Sequence, residues 1–255
     1  MKSQAEIKVG CCGFTVSQQK YFQLFKVIEI QNTFYQLPQL KTAEKWQSSA
    51  PEDFEFTMKA WQLITHEPTS PTYRRLKLRW PAEKLARCGS FKVSEEVVWA
   101  WEQIREIAAA LQAKNVVFQC PASFRPTAQS QRNLRAFFQK IDRGPFGLIW
   151  EPRGEWPEQE IRGLCQELNL IHGVDPFKQE PQSGGVRYFR LHGVTGYRYR
   201  FSGPDLESLR NKCRGITYCL FNNAGMWADA LAFRDLIGRR TLQEREAPTE
   251  MSGAH

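Results

Sequence analysis

The stretch VIEIQNTFY, residues 27–35, contains the pattern that decides the fold of this 255-residue chain. Its Val27, Ile28 and Ile30 are β-branched residues, which favour a buried strand. Glu29 stands among them, although a buried carboxylate is costly unless it is paired or hydrogen-bonded. Because successive residues of a strand point to opposite faces, the stretch predicts one apolar face and one face that carries a charge.

Eight short runs of this kind recur along the chain and are predicted as strands. Helical patterns separate most of them, and alternating strands and helices favour a parallel sheet. Eight such units in a chain of this length predict an α/β fold, a (β/α)8 TIM-type barrel, whose typical size is about 250 residues. A doubly wound sheet is the alternative, but no GxGxxG motif follows the first run. The runs are IKVGCCGF, VIEIQNTFY, FEFTMKAW, NVVFQCP, GLIWEPR, LNLIHGVDP, VRYFRLHG and ITYCLFNN.

The longest predicted helix begins after Ser94, which is a suitable N-cap residue, and has apolar residues at helical spacing. After the sixth run, PFKQEPQSGG predicts a loop, so the helix after strand six is expected to be reduced or missing. The predicted helices are SQQKYFQLFK, KTAEKWQSS, SEEVVWAWEQIREIAAALQ, SQRNLRAFFQKI, PEQEIRGLCQEL, PDLESLRNKC and MWADALAFRDLI.

The chain is predicted to form one barrel domain over residues 1–238, with a basic insertion loop at about 66–92 and a polar C-terminal tail over 239–255. No run of about 18 apolar residues is present, so no membrane partner is expected. The N-terminal residues lack the apolar stretch of a secretory signal, which favours a cytoplasmic location. The oligomeric state is left open by the sequence.

The net charge of +8 favours an anionic partner, either a small molecule or a nucleic acid. Between His66 and Lys92, seven basic residues stand against two acidic ones, and three aromatic residues are interspersed. Bases interleaved with aromatic side chains suit phosphate contact and base stacking. Arg74, Arg75 and Lys77 are therefore candidate nucleic-acid contacts. A solvated loop of ordinary charge is the alternative.

Six of the predicted strands place polar residues on the face opposite a purely apolar one, mostly near their C-terminal ends. In a (β/α)8 barrel the active site lies at that end. We therefore expect Glu29 to belong to a charged cluster in the interior, paired with Lys59, Arg153 or Arg190. A structural ion network without chemistry is the alternative.

Four of these polar residues are the candidate catalytic residues. Glu29 and Glu151 would form an acid–base pair if their surroundings separate their pKa values. Lys59 could bind an anion, act as a base at a lowered pKa, or form a Schiff base. His192 could transfer a proton.

The candidate substrate-binding residues surround the same strand ends. Arg153 and Arg190 offer paired donors to phosphate or carboxylate. The HGVTGYRYR segment supplies a glycine-rich turn with Tyr197 beside strand seven, where barrels often hold phosphate. The others are Asn32, Tyr35, His66, Gln119, Asn222 and Asn223.

No metal and no cofactor is predicted. HxH, HExxH and Cys/His spacings are absent from the sequence, and three basic groups on the same interior face oppose a divalent cation. The seven cysteines include no CxxC pair, which argues against a disulfide framework. The adjacent Cys11 and Cys12 are better explained by tight packing than by a nucleophile. The residues that could in principle gather round an ion are His66, His172, His192, Glu29, Glu151, Asp175 and the cysteines.

Seven motifs also resemble, in order, those of the domain of unknown function 72 family, the YecE-like proteins. The resemblance covers residues from about 7 to 237 and implies a (β/α)8 barrel, but the family name leaves the reaction undetermined. This chain departs from the family at Phe14, usually Trp, at Gln31-Asn32, usually Asn-Ser, and at the cysteine pair, more often Thr or Ser. The motifs are VGCCGF, VIEIQNTFY, FEFTMKAWQLITH, VVFQCPASF, IWEPRGEW, YFRLHG and YCLFNN.

The resemblance also implies a set of recurrent positions that overlaps the candidate site. The residues of this chain at those positions are Glu29, Thr33, Phe34, Tyr35, Lys59, Thr65, His66, Gln119, Pro121, Glu151, Arg153, Trp156, Arg190, His192, Gly193, Asn222 and Asn223.

Three functions fit these observations. The leading hypothesis is an enzyme that binds an anionic, phosphate-bearing substrate at the barrel mouth and uses metal-independent acid–base chemistry. The second is a nucleic-acid-processing enzyme, endonuclease-like and metal-assisted, with the basic loop as its arm. The third is a non-catalytic binding or scaffold protein whose interior charges hold the barrel closed.

Overall fold

The structure, a computed structural model, describes residues 5–246. Eight parallel strands close into a barrel in sequence order, and β8 pairs with β1. This arrangement confirms the predicted (β/α)8 fold, because every predicted run contains a strand. The strands are β1 Glu6–Cys11, β2 Val27–Ile30, β3 Glu55–Lys59, β4 Asn115–Gln119, β5 Gly147–Glu151, β6 Ile171–Val174, β7 Arg187–Leu191 and β8 Ile216–Phe221.

The helices surround the barrel, and each of the seven predicted helical segments contains one. Ser94 caps α5 as expected, since its Oγ accepts a hydrogen bond from the Val97 amide at 3.3 Å. Two further short helices, α3 and α4, and two 3-10 helices, Asn32–Phe34 and Pro71–Arg75, were not predicted. The helices are α1 Gln18–Leu24, α2 Leu40–Ser49, α3 Gln62–Thr65, α4 Ala82–Leu85, α5 Glu95–Ala110, α6 Ala128–Lys140, α7 Glu158–Glu167, α8 Gly203–Lys212 and α9 Met226–Glu246.

Two segments of unusual composition have a definite structure. Between β6 and β7 every residue is described and none is helical, which confirms the missing helix. Helix α9 continues to Glu246, so the first part of the predicted tail, 239–246, is helical. The remainder of that tail, 247–255, lies outside the described residues. Within residues 5–246, no helix combines the length and apolar character needed to cross a bilayer.

The barrel interior has an apolar middle layer between two polar layers. That middle layer is a separate hydrophobic cluster, distinct from the larger core between the strands and the helices. Near the N-terminal ends of the strands, Glu55 accepts hydrogen bonds from Lys8 at 2.5 Å and from Tyr218 at 2.7 Å. The polar residues at the C-terminal ends are thereby isolated from this lower layer. The middle layer consists of Cys12, Val27, Val117, Ile149, Tyr188, Tyr218 and Leu220.

A tyrosine hydroxyl from α1 joins β1 to β2, whose register includes only two residue pairs. Tyr21 accepts a hydrogen bond from the Cys11 amide at 2.7 Å and donates one to the Val27 carbonyl at 3.0 Å. Gly10 makes room for this approach, because a Cβ there would lie 2.2 Å from the Val27 oxygen. The first two strands are therefore bridged by a side chain as well as by their own backbone.

The variant Tyr21→Phe is expected to lower the free energy of unfolding by roughly 2–4 kcal/mol, because two buried backbone groups lose their partner. Urea unfolding followed by circular dichroism measures this loss. The matched control is Tyr197→Phe, since Tyr197 is 61% exposed. Equal stability of Tyr21→Phe and the wild type would show that the hydroxyl bridge does not stabilise the barrel.

Candidate active site

Arg190, on β7, is the centre of the polar layer at the C-terminal mouth and is completely buried. Its Nη2 and Nε donate to the two carboxylate oxygens of Glu29 at 2.6 and 2.9 Å. Its Nη1 donates to Glu151 and, at 2.9 Å, to the Gln119 side-chain oxygen. Nη2 also lies 3.9 Å from the Cys12 sulfur. Of the three expected partners of Glu29, which are Lys59, Arg153 and Arg190, the structure shows Arg190 as the one that pairs with it.

All five N–H groups of Arg190 are directed at these four partners. Burial opposes the charge of Arg190, but the negative charges of Glu151 and Glu29 outweigh it and hold the pKa of the guanidinium well above its usual range. Direct contact between Arg190 and a substrate stays a prediction, and it would require one of these bonds to break. In the present arrangement Arg190 positions the two carboxylates.

The middle layer supports Glu29 from below. Tyr188 donates a hydrogen bond to Glu29 Oε2 at 3.1 Å. The Tyr188 hydroxyl also lies 2.8 Å from Thr57 Oγ1, which reaches the Ile28 carbonyl at 3.2 Å. Both oxygens of Glu29 are thus engaged, and its orientation is set by residues of three strands.

Glu151, Arg153 and His192 form a second polar group at the ends of β5 and β7. Arg153 donates to Glu151 Oε1 from Nε at 2.8 Å and from Nη2 at 2.7 Å. Burial would raise the pKa of Glu151, but the charges of Arg190 and Arg153 hold it well below its usual range. Glu151 is therefore an ionised carboxylate that holds a proton less readily than an ordinary glutamate does.

His192 has two alternative partners within this group. Its Nε2 contacts Nη2 of Arg153, which can only donate, so in this contact the imidazole is neutral and accepts. The same nitrogen lies 3.4 Å from Glu151 Oε1. Burial and the charges of Arg190 and Arg153 lower the pKa of His192 despite the opposing effect of Glu151. A protonated His192 would turn from Arg153 to Glu151, which suits a proton-transfer group.

Lys59, the last residue of β3, is buried beside these charges without a carboxylate partner. Its side chain makes no hydrogen bond or ion pair with any residue of the described chain, and Nζ lies 3.6 Å from the centre of the Phe34 ring. Burial, together with the nearby charge of Arg190, lowers the pKa of Lys59 to about 7. Lys59 thus exists as ammonium and as free amine in comparable amounts near neutral pH.

His66 also packs against Phe34, and the centres of the two rings are 4.8 Å apart. Its Nδ1 lies 2.8 Å from the hydroxyl of Thr65. Burial and the charges of Lys59 and Arg153 lower the pKa of His66 to about 3. The His66 side chain at the mouth is therefore uncharged near neutral pH.

A cavity of about 450 Å³ opens between the ends of β5, β6 and β7, and Arg153 and His192 line it together with His172 and Asp175. His172 accepts a hydrogen bond at Nδ1 from the Gln182 amide at 3.1 Å, so its proton is on Nε2. That Nε2 is buried and has no partner among the described residues. Burial lowers the pKa of His172 to about 4, so the imidazole is neutral and its Nε2–H is a buried donor without a described partner.

From the sequence, His172 and Asp175 were candidates only as metal ligands. Their place in the cavity follows from the missing helix after β6, because the loop that replaces it turns back onto the strand and bonds to His172. The Asp175 carboxylate accepts hydrogen bonds from the His192 amide at 3.2 Å and from the Phe177 amide at 3.1 Å. The loop prediction after the sixth run was the available signal for this pocket.

Asn32 and Tyr35 lie in a different cavity from the carboxylates. It measures about 890 Å³ and is lined on its other side by the basic loop. The Arg75 guanidinium stacks on the Tyr35 ring at 3.5 Å. The candidate substrate residues Asn32 and Tyr35 and the candidate nucleic-acid contacts Arg74, Arg75 and Lys77 therefore line one groove.

The remaining candidate residues differ in their surroundings. Asn222 is 8% exposed at the end of β8, and its side chain has no hydrogen bond to the described residues. Asn223 is fully buried and donates to the Tyr199 carbonyl at 2.7 Å and to Asp229 at 2.6 Å. It therefore joins α9 to the loop after β7. Tyr197 projects from that loop with 61% of its surface exposed.

Neither member of the cysteine pair is an activated thiol. Burial raises the pKa of Cys11 to about 12, and burial with the charge of Glu29 raises the pKa of Cys12 well above its usual range. The pair fills space at the end of β1, as the sequence suggested. Across residues 5–246, no three His, Cys, Asp or Glu side chains are grouped closely enough to hold a metal ion.

Arg190→Met is expected to lower the free energy of unfolding by roughly 3–5 kcal/mol, because it leaves two buried carboxylates without their cation. The control is Arg153→Met, whose side chain is 35% exposed and should cost about 1 kcal/mol or less. Adding Glu29→Gln to Arg190→Met should recover part of the loss, as chemical unfolding would show. Equal losses for the two arginine variants would contradict this difference between them.

Comparisons with known proteins agree with this architecture. The UPF0759 protein YunF of Bacillus subtilis (strain 168) is 23% identical over 244 residues, which cover 82% of each protein. The crystal structure of a DUF72 family protein from Enterococcus faecalis V583 has a TM-score of 0.70 at 17% identity, over 92% of this chain and 98% of that one.

Similar folds occur beyond these proteins. A xylose isomerase domain containing protein from Salmonella typhimurium LT2 has a TM-score of 0.57 at 13% identity, over 95% of this chain and 99% of that one. The corresponding values for a family 2 AP endonuclease from Brucella melitensis are 0.55 and 12%, over 92% and 99%. These likenesses show the fold alone. The family model described as "Protein of unknown function DUF72" matches residues 17–252. Because this match spans most of the chain, the protein belongs to the DUF72 family.

Proposed function

We propose that this protein is an enzyme that binds a small anionic substrate at the C-terminal mouth of its barrel and acts on it by acid–base chemistry of the mouth side chains. The observation that carries the proposal is Lys59, a buried amine that forms no hydrogen bond or ion pair with a described residue. A free ammonium in an apolar environment is costly, and either loss of its proton or an anionic ligand relieves that cost.

The charges of the mouth support this proposal. The carboxylates of Glu29 and Glu151 are matched by the guanidinium groups of Arg190 and Arg153. Lys59 in its protonated form therefore has neither of these two carboxylates as an ion-pair partner. A carboxylate or phosphate group bound beside Lys59 would balance it, and such an interaction is strong in a site of low dielectric constant.

Arg153 is the second donor that suits this anion. Its side chain is 35% exposed, and its Nη1 makes no hydrogen bond within the described part of the chain. Glu151 and His192, which contact the same guanidinium, are in place to exchange protons with the bound molecule. The adjoining cavity of about 450 Å³, which Arg153, Glu151 and His192 line, lies in the size range of small-molecule sites.

Anion binding should weaken as Lys59 loses its proton. With the pKa of Lys59 at about 7, the dissociation constant of sulfate should rise about tenfold per pH unit above pH 7, because sulfate keeps its charge while the ammonium disappears. Isothermal titration calorimetry at about pH 6 and about pH 9 measures this change. Lys59→Met should abolish the pH dependence and most of the affinity.

The matched variant Lys59→Arg keeps a positive charge at both pH values and should bind sulfate equally at each. A surface control is Lys45→Met on α2, which is exposed and should leave binding unchanged. Sulfate affinity that is independent of pH and unaffected by Lys59→Met would remove the proposed anion site.

A second candidate function, nucleic-acid processing, is favoured by the groove beside the barrel. Within the described chain, its basic side chains have no acidic partner, and no acidic residue lines the cavity of about 890 Å³. Tyr35 and Trp46 add aromatic surface to the same walls. An unbalanced basic groove with aromatic side chains suits a single-stranded nucleic acid. The basic residues that line it are Arg74, Arg75, Lys77 and Arg79.

Neutralising three of these residues tests the second function. The triple variant Arg74→Gln, Arg75→Gln, Lys77→Gln should reduce the slope of log K against log salt by about 2 for a fluorescent single-stranded oligonucleotide, because each phosphate contact contributes about 0.7. Fluorescence anisotropy over a salt series measures the slope.

The control is the triple variant Lys41→Gln, Lys45→Gln, Lys140→Gln, which removes the same charge from exposed positions on α2 and α6. If both triple variants reduce the slope equally, binding depends on net charge alone and the groove is not a nucleic-acid site.

A further inference from the structure

We propose that Lys59 is a nucleophile that forms a reversible imine with a small aldehyde or ketone carrying a carboxylate or phosphate group. This inference rests on the proposed function, since the same anion site would hold the substrate. It adds the substrate class and a covalent step.

The Lys59 side chain is held in place, but its nitrogen has no hydrogen-bond partner among the described residues. Thr33 donates to the Lys59 carbonyl at 2.6 Å and lies 2.8 Å from the Ile30 carbonyl, so it fixes the ends of β2 and β3 to each other. Phe34, which is 1% exposed, supports the nitrogen at 3.6 Å. Because Nζ forms no hydrogen bond with a described residue, its lone pair is free once the proton leaves.

The surroundings of Lys59 also favour the reactive form of the amine. A lysine becomes a nucleophile when it is desolvated or stands next to other cations, and both conditions hold here. Burial and the charge of Arg190 lower the pKa of Lys59 to about 7. An exposed lysine, with a pKa of about 10.4, is almost entirely protonated at neutral pH.

The chemical step balances without a further reagent. The Lys59 lone pair attacks the carbonyl carbon, and the electron pair of the C=O bond moves to oxygen. Both hydrogens of the neutral amine end on that oxygen, which leaves as water while the C=N bond forms. Protonation of the imine then restores one positive charge on nitrogen. The anionic group of the substrate balances this charge.

The protonated imine would favour transfer of a proton from the substrate to a neighbouring residue. It withdraws electrons from the adjacent carbon and acidifies the C–H bonds there. His192 is neutral near pH 7 and is therefore in the right state to accept that proton, whereas the lowered pKa of Glu151 makes its carboxylate the weaker base. The resulting electron pair would be stabilised by conversion to the enamine.

Reductive trapping tests the inference on the full-length protein. Pyruvate and sodium cyanoborohydride convert an imine into a stable secondary amine, which peptide mass spectrometry locates. At about pH 7 we expect Lys59 to be modified at least about tenfold faster than exposed Lys45 in the same sample, because far more of it is neutral. Acetone, which lacks the anionic group, should modify Lys59 more slowly than pyruvate.

The internal comparison with Lys45 does not depend on the folding of a variant. Lys59→Arg provides a second control, since it retains a cation but should give no adduct at that position. If pyruvate competes with sulfate for binding and yet neither pyruvate nor dihydroxyacetone phosphate modifies Lys59 selectively, the imine is excluded and the anion site stands. If neither binding nor modification occurs, both proposals fail.

Discussion

The contact between Arg190 and the two buried carboxylates, Glu29 and Glu151, is the interaction on which the upper half of the barrel depends. It joins β7 to β2 and β5 across the barrel interior, where strand pairing alone cannot connect them. Three buried charges are tolerated because each carboxylate is bonded to the guanidinium and to at least one further donor. The remaining polar residues of the mouth are arranged around this fixed centre.

The same contact explains why the other basic residues behave differently. Since Arg190 satisfies both carboxylates, Lys59 forms an ion pair with neither. Burial and the charge of Arg190 then outweigh the attraction of Glu151 and Glu29 and lower the pKa of Lys59. Arg153 shares only one carboxylate and extends toward solvent. The fully hydrogen-bonded Arg190 and the unpaired Lys59 therefore result from one arrangement of charges. Because both carboxylates are bonded to arginine, neither forms an ion pair with Lys59.

The sequence predicted the barrel well because alternation of side chains is a local property, visible in single strands such as residues 27–31. It also predicted that Glu29 would pair with Lys59, Arg153 or Arg190. It could not decide which of the three, because strand parity sets a direction and not a distance. Three other features depend on loops and on long-range packing, for which no local pattern exists. They are the separation of Tyr35 from the carboxylates, the bridging role of Tyr21 and the unpaired nitrogen of His172.

The absence of a helix after β6 has a consequence for how this side of the barrel is held together. Elsewhere the outer wall of the barrel is formed by helices, but here it is a loop whose attachment to the strand is made by Gln182 and Ser183. This side of the barrel is therefore held by two hydrogen bonds to one strand residue and not by the packing of a helix face. His172 both anchors the loop and lines the cavity, so a substitution there would change the wall and the site together.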